Sequence, residues 1–258
     1  MLKMNSNYLT DTHFHLDLED DINKILENAR RNDVCNFIIS GCDLKGIKEG
    51  LEIINKYKDI YLTIGIHPDE INHFDDTTIS YLEKLIQENK KIIGIGEIGL
   101  DYYHNKENKE EQKRIFRLQL DLAKKLNLPV VIHSRDAYLD TYNILKEYDL
   151  KGTIHCFTGS KEVAESYIKL GYLLGIGGVS TYKNANLVNV LKEIDLKHIV
   201  FETDSPYLTP EPIRNEINEP KNVSIICNHL ANIKNVKREE IIKITTENVI
   251  NNYNRLSN

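Results

Sequence analysis

Eight short runs rich in Val, Ile, Thr and Tyr recur along the chain: Tyr8–His13, Val34–Ser40, Ile60–Ile66, Ile92–Glu97, Pro129–His133, Gly152–His155, Tyr172–Ile176 and His198–Glu202. They alternate little between apolar and polar residues, as strands buried on both faces do. Between them lie segments with apolar residues at three- and four-residue spacing. Asp21–Arg30 carries Ile22, Ile25, Leu26 and Ala29; Tyr81–Glu88 carries Leu82, Leu85 and Ile86; Arg114–Leu126 carries Ile115, Leu118, Leu122 and Leu126. Lys237–Arg255 reads as a closing helix. Strands alternating with helices predict a parallel sheet, and eight such units predict an α/β fold, a TIM-like (β/α)8 barrel. At 258 residues, with no linker, internal repeat or low-complexity tract, the chain reads as a single domain spanning 1–258; such barrels need about 250 residues.

Five of the runs reach a metal-capable side chain where the strand should end. These are His13 and His15 in Thr10–His15, Glu97 in Ile93–Glu97, His133 in Val130–His133, His155 in Thr153–His155 and Asp204 in Val200–Asp204. Apolar packing does not explain that pattern, and in a barrel of parallel strands these ends converge on the face that carries the chemistry. Side chains two apart on a strand share a face, so His13 and His15 can reach one ion. Four imidazoles and two carboxylates exceed the needs of one tetrahedral or five-coordinate ion. They suit two divalent cations sharing a bridging carboxylate, for which Glu97 is the natural candidate. A cation pair of this kind activates water for hydrolysis at phosphorus or at an acyl carbon. Asp204 then has a catalytic role as proton acceptor, whereas taken alone it reads as a helix cap or an Asx turn before Pro206.

Other residues stand with open alternatives. His67, before Pro68, either holds substrate or ends a turn. Asp101 either orients a ligand imidazole or is a turn residue. Arg214, in the proline-rich stretch Ser205–Lys221, either forks onto a phosphate or is solvated, and Tyr182 and Lys183 offer a similar choice with less support. His73, His104, His198 and His229 lack strand-end placement and receive no role. Gly94-Ile95-Gly96-Glu97-Ile98-Gly99 matches a dinucleotide-binding fingerprint in letters. It begins inside a strand, places an acidic residue where pyrophosphate would sit and opens no helix, so its glycines are better read as room for a bent strand that delivers Glu97.

The 33 basic and 39 acidic residues give a net charge of −6, so a polyanionic substrate would need cations and a local basic rim. Cys35, Cys42, Cys156 and Cys227 form no zinc-finger spacing; Cys35 and Cys156 read as small core hydrophobes, and reduced thiols suit the cytoplasm. Met1–Asn7 has no apolar signal core and no run approaches membrane-spanning length, so a cytoplasmic protein without a membrane or an obligate protein partner is expected.

Several segments together resemble the TatD family of metal-dependent DNases, in the branch that keeps the HxH pair. They are Asp11–Asp17, Gly65-Ile66-His67-Pro68, Gly96–Tyr102, Val131–Arg135, His155–Gly159, Glu202–Leu208, Asn218-Glu219-Pro220 and Thr245–Asn248, in the family's order along nearly the whole chain. The resemblance implies a TIM-like barrel with His13, His15, Glu97 and Asp204 around one metal and Glu97, His133 and His155 around the other. It implies two divalent cations (Zn2+, Mn2+ or Mg2+) and hydrolysis of DNA phosphodiesters, often from the 3′ end of a single strand. Two departures fall on the rim that would meet DNA: Asp69 where the family often has histidine, and Arg214–Pro220 without the usual glycine and lysine. A hydrolase of a small ester, lactone or aminoacyl bond on the same scaffold is the competing expectation, and a binding module whose metals only stabilise the barrel is a third.

Overall fold

In the computed structural model, which describes residues 4–256, eight parallel strands form one sheet in sequence order. They are β1 Leu9–Phe14, β2 Val34–Gly41, β3 Ile60–Ile64, β4 Ile92–Asp101, β5 Val130–Arg135, β6 Gly152–Ile154, β7 Tyr172–Ile176 and β8 Ile199–Phe201. The helices between and after them are α1 Ile22–Arg30, α2 Leu44–Lys56, α3 Thr78–Glu88, α4 Lys109–Leu126, α5 Tyr138–Leu145, α6 Lys161–Lys169, α7 Leu187–Glu193, α8 Val223–Lys234 and α9 Arg238–Asn252. The expected barrel is therefore present. Met1, Leu2 and Lys3, part of the stretch read for a leader, lie outside the described residues. No described helix is long and apolar enough to cross a membrane.

The sheet closes at a seam between β1 and β8 that side chains stitch together. The Thr12 hydroxyl donates to the Phe201 carbonyl at 2.9 Å, and buried Asp11 accepts from both the backbone N–H (2.9 Å) and the hydroxyl (2.6 Å) of Thr203. Just above, the Asp204 N–H donates to the His13 carbonyl and the His15 N–H to the Ser205 carbonyl. The same seam thus holds the His13–His15 pair against the loop that carries Asp204.

Strand ends depart from the sequence expectation in one informative place. β4 does not stop at Glu97 but continues, fully buried, to Asp101. Its glycines explain the extension. Gly99 adopts φ +150°, and a Cβ there would lie 2.0 Å from the His133 carbonyl oxygen, so only glycine lets β4 run so close to β5. The glycine-rich letters belong to strand packing, as their context indicated. Cys35 and Cys156 are half-buried rather than core residues, and Cys227 is the cysteine packed in the interior. Cys35 is the second residue of β2 and the one position of that strand that is not buried, and Cys156 lies past the end of β6 with φ 47°.

Two glutamines on α4, seven residues apart and both fully buried, tie strand ends in place. Gln119 accepts from the Ile66 N–H (2.7 Å) and donates to the Ile66 carbonyl (3.0 Å), next to His67. Gln112 does the same for Asp101, at 2.8 and 2.9 Å. Each satisfies a backbone pair that has left the ladder. Gln119→Leu keeps the volume but orphans the Ile66 pair, so urea unfolding should show a loss of about 1–3 kcal/mol; unchanged stability would contradict this role.

Candidate metal centre

The mouth of the barrel gathers the six residues read as ligands. Glu97 lies at their middle, 4% exposed, with its two oxygens facing different partners. Oε2 lies 3.3 Å from His13 Nε2, on the side where His15 and Asp204 stand. Oε1 lies 2.7 Å from His133 Nδ1, 3.7 Å from His67 Nε2 and 3.8 Å from His155 Nε2. Asp204 Oδ1 faces His15 Nε2 at 3.4 Å, His155 Nε2 at 3.6 Å and His13 Nε2 at 3.7 Å. Among the described residues, three of the five donor sets whose atoms lie within 4.8 Å of one another are built on Glu97 or Asp204: His13, His15 and Glu97; His13, His155 and Asp204; and His67, Glu97 and His133.

The donor chemistry fits divalent cations. Both ring nitrogens of His13 are buried without a hydrogen-bond partner, and its approach to Glu97 lacks the alignment of a hydrogen bond. A histidine buried in that condition is costly unless something else satisfies it. The set fits divalent metal, and Glu97 faces both donor groups. His67 stands close enough to the second group to join it, with its ring 4.4 Å from that of His133.

Carboxylates behind the donors orient them. Asp101 Oδ2 lies 3.0 Å from His133 Nε2, which leaves Nδ1 directed at Glu97. Glu202, fully buried, lies 3.1 Å from His155 Nδ1 and accepts the Cys156 N–H, leaving His155 Nε2 turned inward. A carboxylate behind an imidazole fixes its tautomer and raises its strength as a ligand. Glu202 fits only because β7 offers Gly175, where a Cβ would lie 2.3 Å from Glu202 Oε2. Asp204 has φ 56° and Cys156 φ 47°, a strained left-handed geometry of the kind found at functional sites.

Three neighbours escaped the sequence reading. Glu202 was seen as part of a strand without a role, although it lies two residues before Asp204. His104, set aside for want of a strand end, places Nδ1 3.0 Å from Asp101 Oδ2; the end of β4 reaches farther than expected. Cys42 Sγ donates to Glu97 Oε2 at 3.5 Å and lies 3.9 Å from His15 Nδ1; its position just after β2 was the available signal. Arg214 is not among the clustered donors. It is exposed, with its guanidinium carbon 4.0 Å from the centre of the Tyr182 ring.

Burial and charge pull the titrations apart. Burial pushes the Glu97 carboxyl up, but the imidazoles of His155, His13 and His67 outweigh it and hold Glu97 well below the usual carboxylate range. Asp204 behaves likewise: burial raises it, while His155 and the bond to His15 bring it below its ordinary value. Burial drives His67 down to about 4 and, with His155, also lowers His13. His155 moves the other way: burial lowers it, but Glu202, Glu97 and Asp204 together lift it to about 10. His133 rises to about 9, since its bonds to Asp101 and Glu97 exceed the effect of burial.

The model of the family described as "TatD related DNase" matches residues 10–254. The "uncharacterized metal-dependent hydrolase YabD" of Bacillus subtilis is 40% identical over 247 residues, 93% of this chain and 96% of that protein. The "uncharacterized metal-dependent hydrolase YcfH" of Escherichia coli is 33% identical over 251 residues, 93% of this chain and 94% of that protein. Among solved structures, the TatD homologue YjjV from Escherichia coli matches with a TM-score of 0.91 at 26% identity, covering 97% of this chain and 99% of that one.

Without cations, His133 and His155 are protonated at neutral pH. Both are raised above the unfolded value of about 6.5, so their stabilisation of the cation-free protein is complete below about pH 6.5. It is lost as the pH rises through about 9 and 10. Ligation requires neutral imidazoles. Burial lowers His15 as well, but Cys42 and Asp204 hold it well above its ordinary value. Titrating Zn2+ into chelator-treated protein at pH 7 should release about two protons per chain from His133 and His155, and a third from His15, read by calorimetry in buffers of differing ionisation enthalpy. Apparent affinity should climb with pH up to the same range. No proton release would exclude these residues as ligands.

Proposed function

We propose that this chain, which belongs to the family of TatD-related DNases, is a metal-dependent deoxyribonuclease. It hydrolyses DNA phosphodiester bonds, working inward from a 3′ end, with two divalent cations held by His13, His15, Glu97, His133, His155 and Asp204. One observation carries the reading: Glu97 turns one oxygen toward His13 and the other toward His133, His155 and His67. Metal-dependent hydrolysis is also what the names of the Bacillus subtilis and Escherichia coli relatives say of those proteins. The cysteines form no disulfide among the described residues, which suits a cytoplasmic location.

A cation pair in this donor set supplies Lewis acidity and brings a water near its neutral-pH deprotonation. The residues do the rest. Asp204, ionised and with its side chain 16% exposed, faces the mouth and can take the proton of the attacking water. As the water oxygen bonds to phosphorus and the P–O3′ bond breaks, Asp204 passes that proton to the leaving O3′. Glu97 stays charged throughout and keeps the two donor groups at fixed separation. Asp101 and Glu202 prevent His133 and His155 from turning their inward nitrogens away.

Metal-loaded protein should shorten 5′-labelled single-stranded DNA in a ladder on a denaturing gel. Asp204→Asn should lower kcat by about 100-fold or more while retaining a folded circular-dichroism spectrum. Turnover of small carboxylic esters without any strand shortening would favour the ester, lactone or aminoacyl reading over the nuclease. Full activity in Asp204→Asn would remove the proton-transfer role.

A further inference from the structure

The eight arginines of the chain separate into three groups. Five pair with carboxylates: Arg30 with Asp59, Arg31 with Glu27, Arg114 with Glu111, Arg117 with Glu147 and Arg238 with Asp33. Arg255 caps backbone carbonyls. The remaining two, Arg135 and Arg214, pair with no carboxylate among the described residues. Each instead lies over a tyrosine ring, Arg135 on Tyr103 at 4.1 Å and Arg214 on Tyr182 at 4.0 Å. Both tyrosines follow the carboxyl ends of barrel strands, so both arginines stand at the mouth.

Arg135 is two residues beyond His133 on β5. That spacing puts both side chains on one face, with the Arg135 Cα about 7 Å farther along the strand toward the mouth. Arg214 is carried by the segment after β8, which is pinned rather than loose. Buried Asn218 donates to the carbonyls of Thr203 (2.9 Å) and Tyr207 (2.6 Å), and the Glu211 N–H donates to the Thr181 hydroxyl at 2.8 Å. The Tyr182 hydroxyl donates to the Thr209 carbonyl at 3.1 Å and so fixes the ring on which Arg214 rests. Stacking spares a guanidinium much of its rotamer entropy and leaves its in-plane N–H fork free for phosphate.

The opposite side of the mouth has the other sign. A cleft of about 580 Å3 beside His15 is lined by five carboxylates, Asp17, Asp43 and Glu219 among them, against the ammonium groups of Lys24 and Lys45. Phosphates are disfavoured there. Exposed Tyr207 offers that cleft an aromatic face near His15, their ring centres 6.2 Å apart, and a base or sugar can use such a face.

Resting on the nuclease reading, we infer that Arg135 and Arg214 form a two-point clamp for the backbone phosphates of a nucleic-acid strand, specifying a polyanionic substrate and the side from which it enters. The terminal nucleoside lies toward Tyr207, and the rest of the strand runs out over the two arginines.

The test uses metal-loaded protein and a fluorescent single-stranded phosphorothioate 12-mer, which resists hydrolysis, with anisotropy read across about 50 to 200 mM salt. Each lost phosphate contact removes about 0.7 from the slope of log affinity against log salt. The paired substitution Arg135→Met with Arg214→Met should therefore flatten the slope by about 1.4 and weaken binding at least tenfold. Arg135→Lys with Arg214→Lys should restore most of the slope. Melting followed by circular dichroism confirms that the variants are folded. No binding by the unsubstituted protein, or an unchanged slope in the Met variant, overturns the clamp. Arginine-dependent binding without shortening of ordinary DNA would overturn the nuclease reading and leave the clamp standing; shortening with arginine-independent binding would do the reverse.

Discussion

The architecture turns on a buried carboxylate that stays charged. Glu97 lies almost wholly out of water, where an isolated carboxylate would take up a proton. It does not, because His155, His13 and His67 surround it and outweigh the penalty of burial. Without cations, the balance is reached with protons: His133 and His155 hold theirs far above the ordinary imidazole range. Divalent cations provide the same compensation with more charge at fewer points. The electrostatics that favour a folded, cation-free mouth are thus those that prepare it for metal. The protons are placeholders at the positions where ligation needs lone pairs.

Holding that arrangement requires parts that make no contact with the central carboxylate. α4 sends Gln119 to the backbone beside His67 and Gln112 to the backbone of Asp101, so one helix face sets two strand ends. Asp101 and Glu202 each stand behind one imidazole, and Gly175 and Gly99 vacate the space these approaches need. These polar groups are buried, and each is bonded to the strand end or imidazole beside it. A loss at any one would reach the centre through altered orientation rather than through lost charge.

Much of this was readable from the chain. Parallel strands buried on both faces leave long apolar runs, and a polar residue that ends such a run is conspicuous; hence His13, His15, Glu97, His133, His155 and Asp204 could be picked out together. Less visible was whatever depended on three-dimensional reach. β4 runs four residues past Glu97 because Gly99 allows it to hug β5, and no periodicity announces that. His104 received no role because Asp101 had no apparent strand to end. Cys42 lay at a strand end, but no metal-binding spacing of the cysteines marked it. Gln112 and Gln119 look like solvated helix residues in one dimension, since their carbonyl and N–H partners come from strands distant in sequence. Asp204 was legible only in company, as its local setting suits a turn equally well.

The rim shows why net charge is a poor guide to substrate. A chain at −6 repels a polyanion at long range, and the cleft beside His15 adds to that. Yet salt screens such fields within about 8–10 Å, and affinity at the mouth is decided by the few groups inside that distance. Five arginines are bound to their own carboxylates and contribute nothing there. Arg255 is held by backbone carbonyls, and the remaining two both stand where β5 and the segment after β8 reach solvent, flat against aromatic rings. On the proposed clamp, an acidic surface with a small basic edge would admit a strand from one direction and disfavour it from the others. The altered segment Arg214–Pro220, without the glycine and lysine common in the family, still brings a guanidinium to that edge, through Tyr182 rather than through chain flexibility.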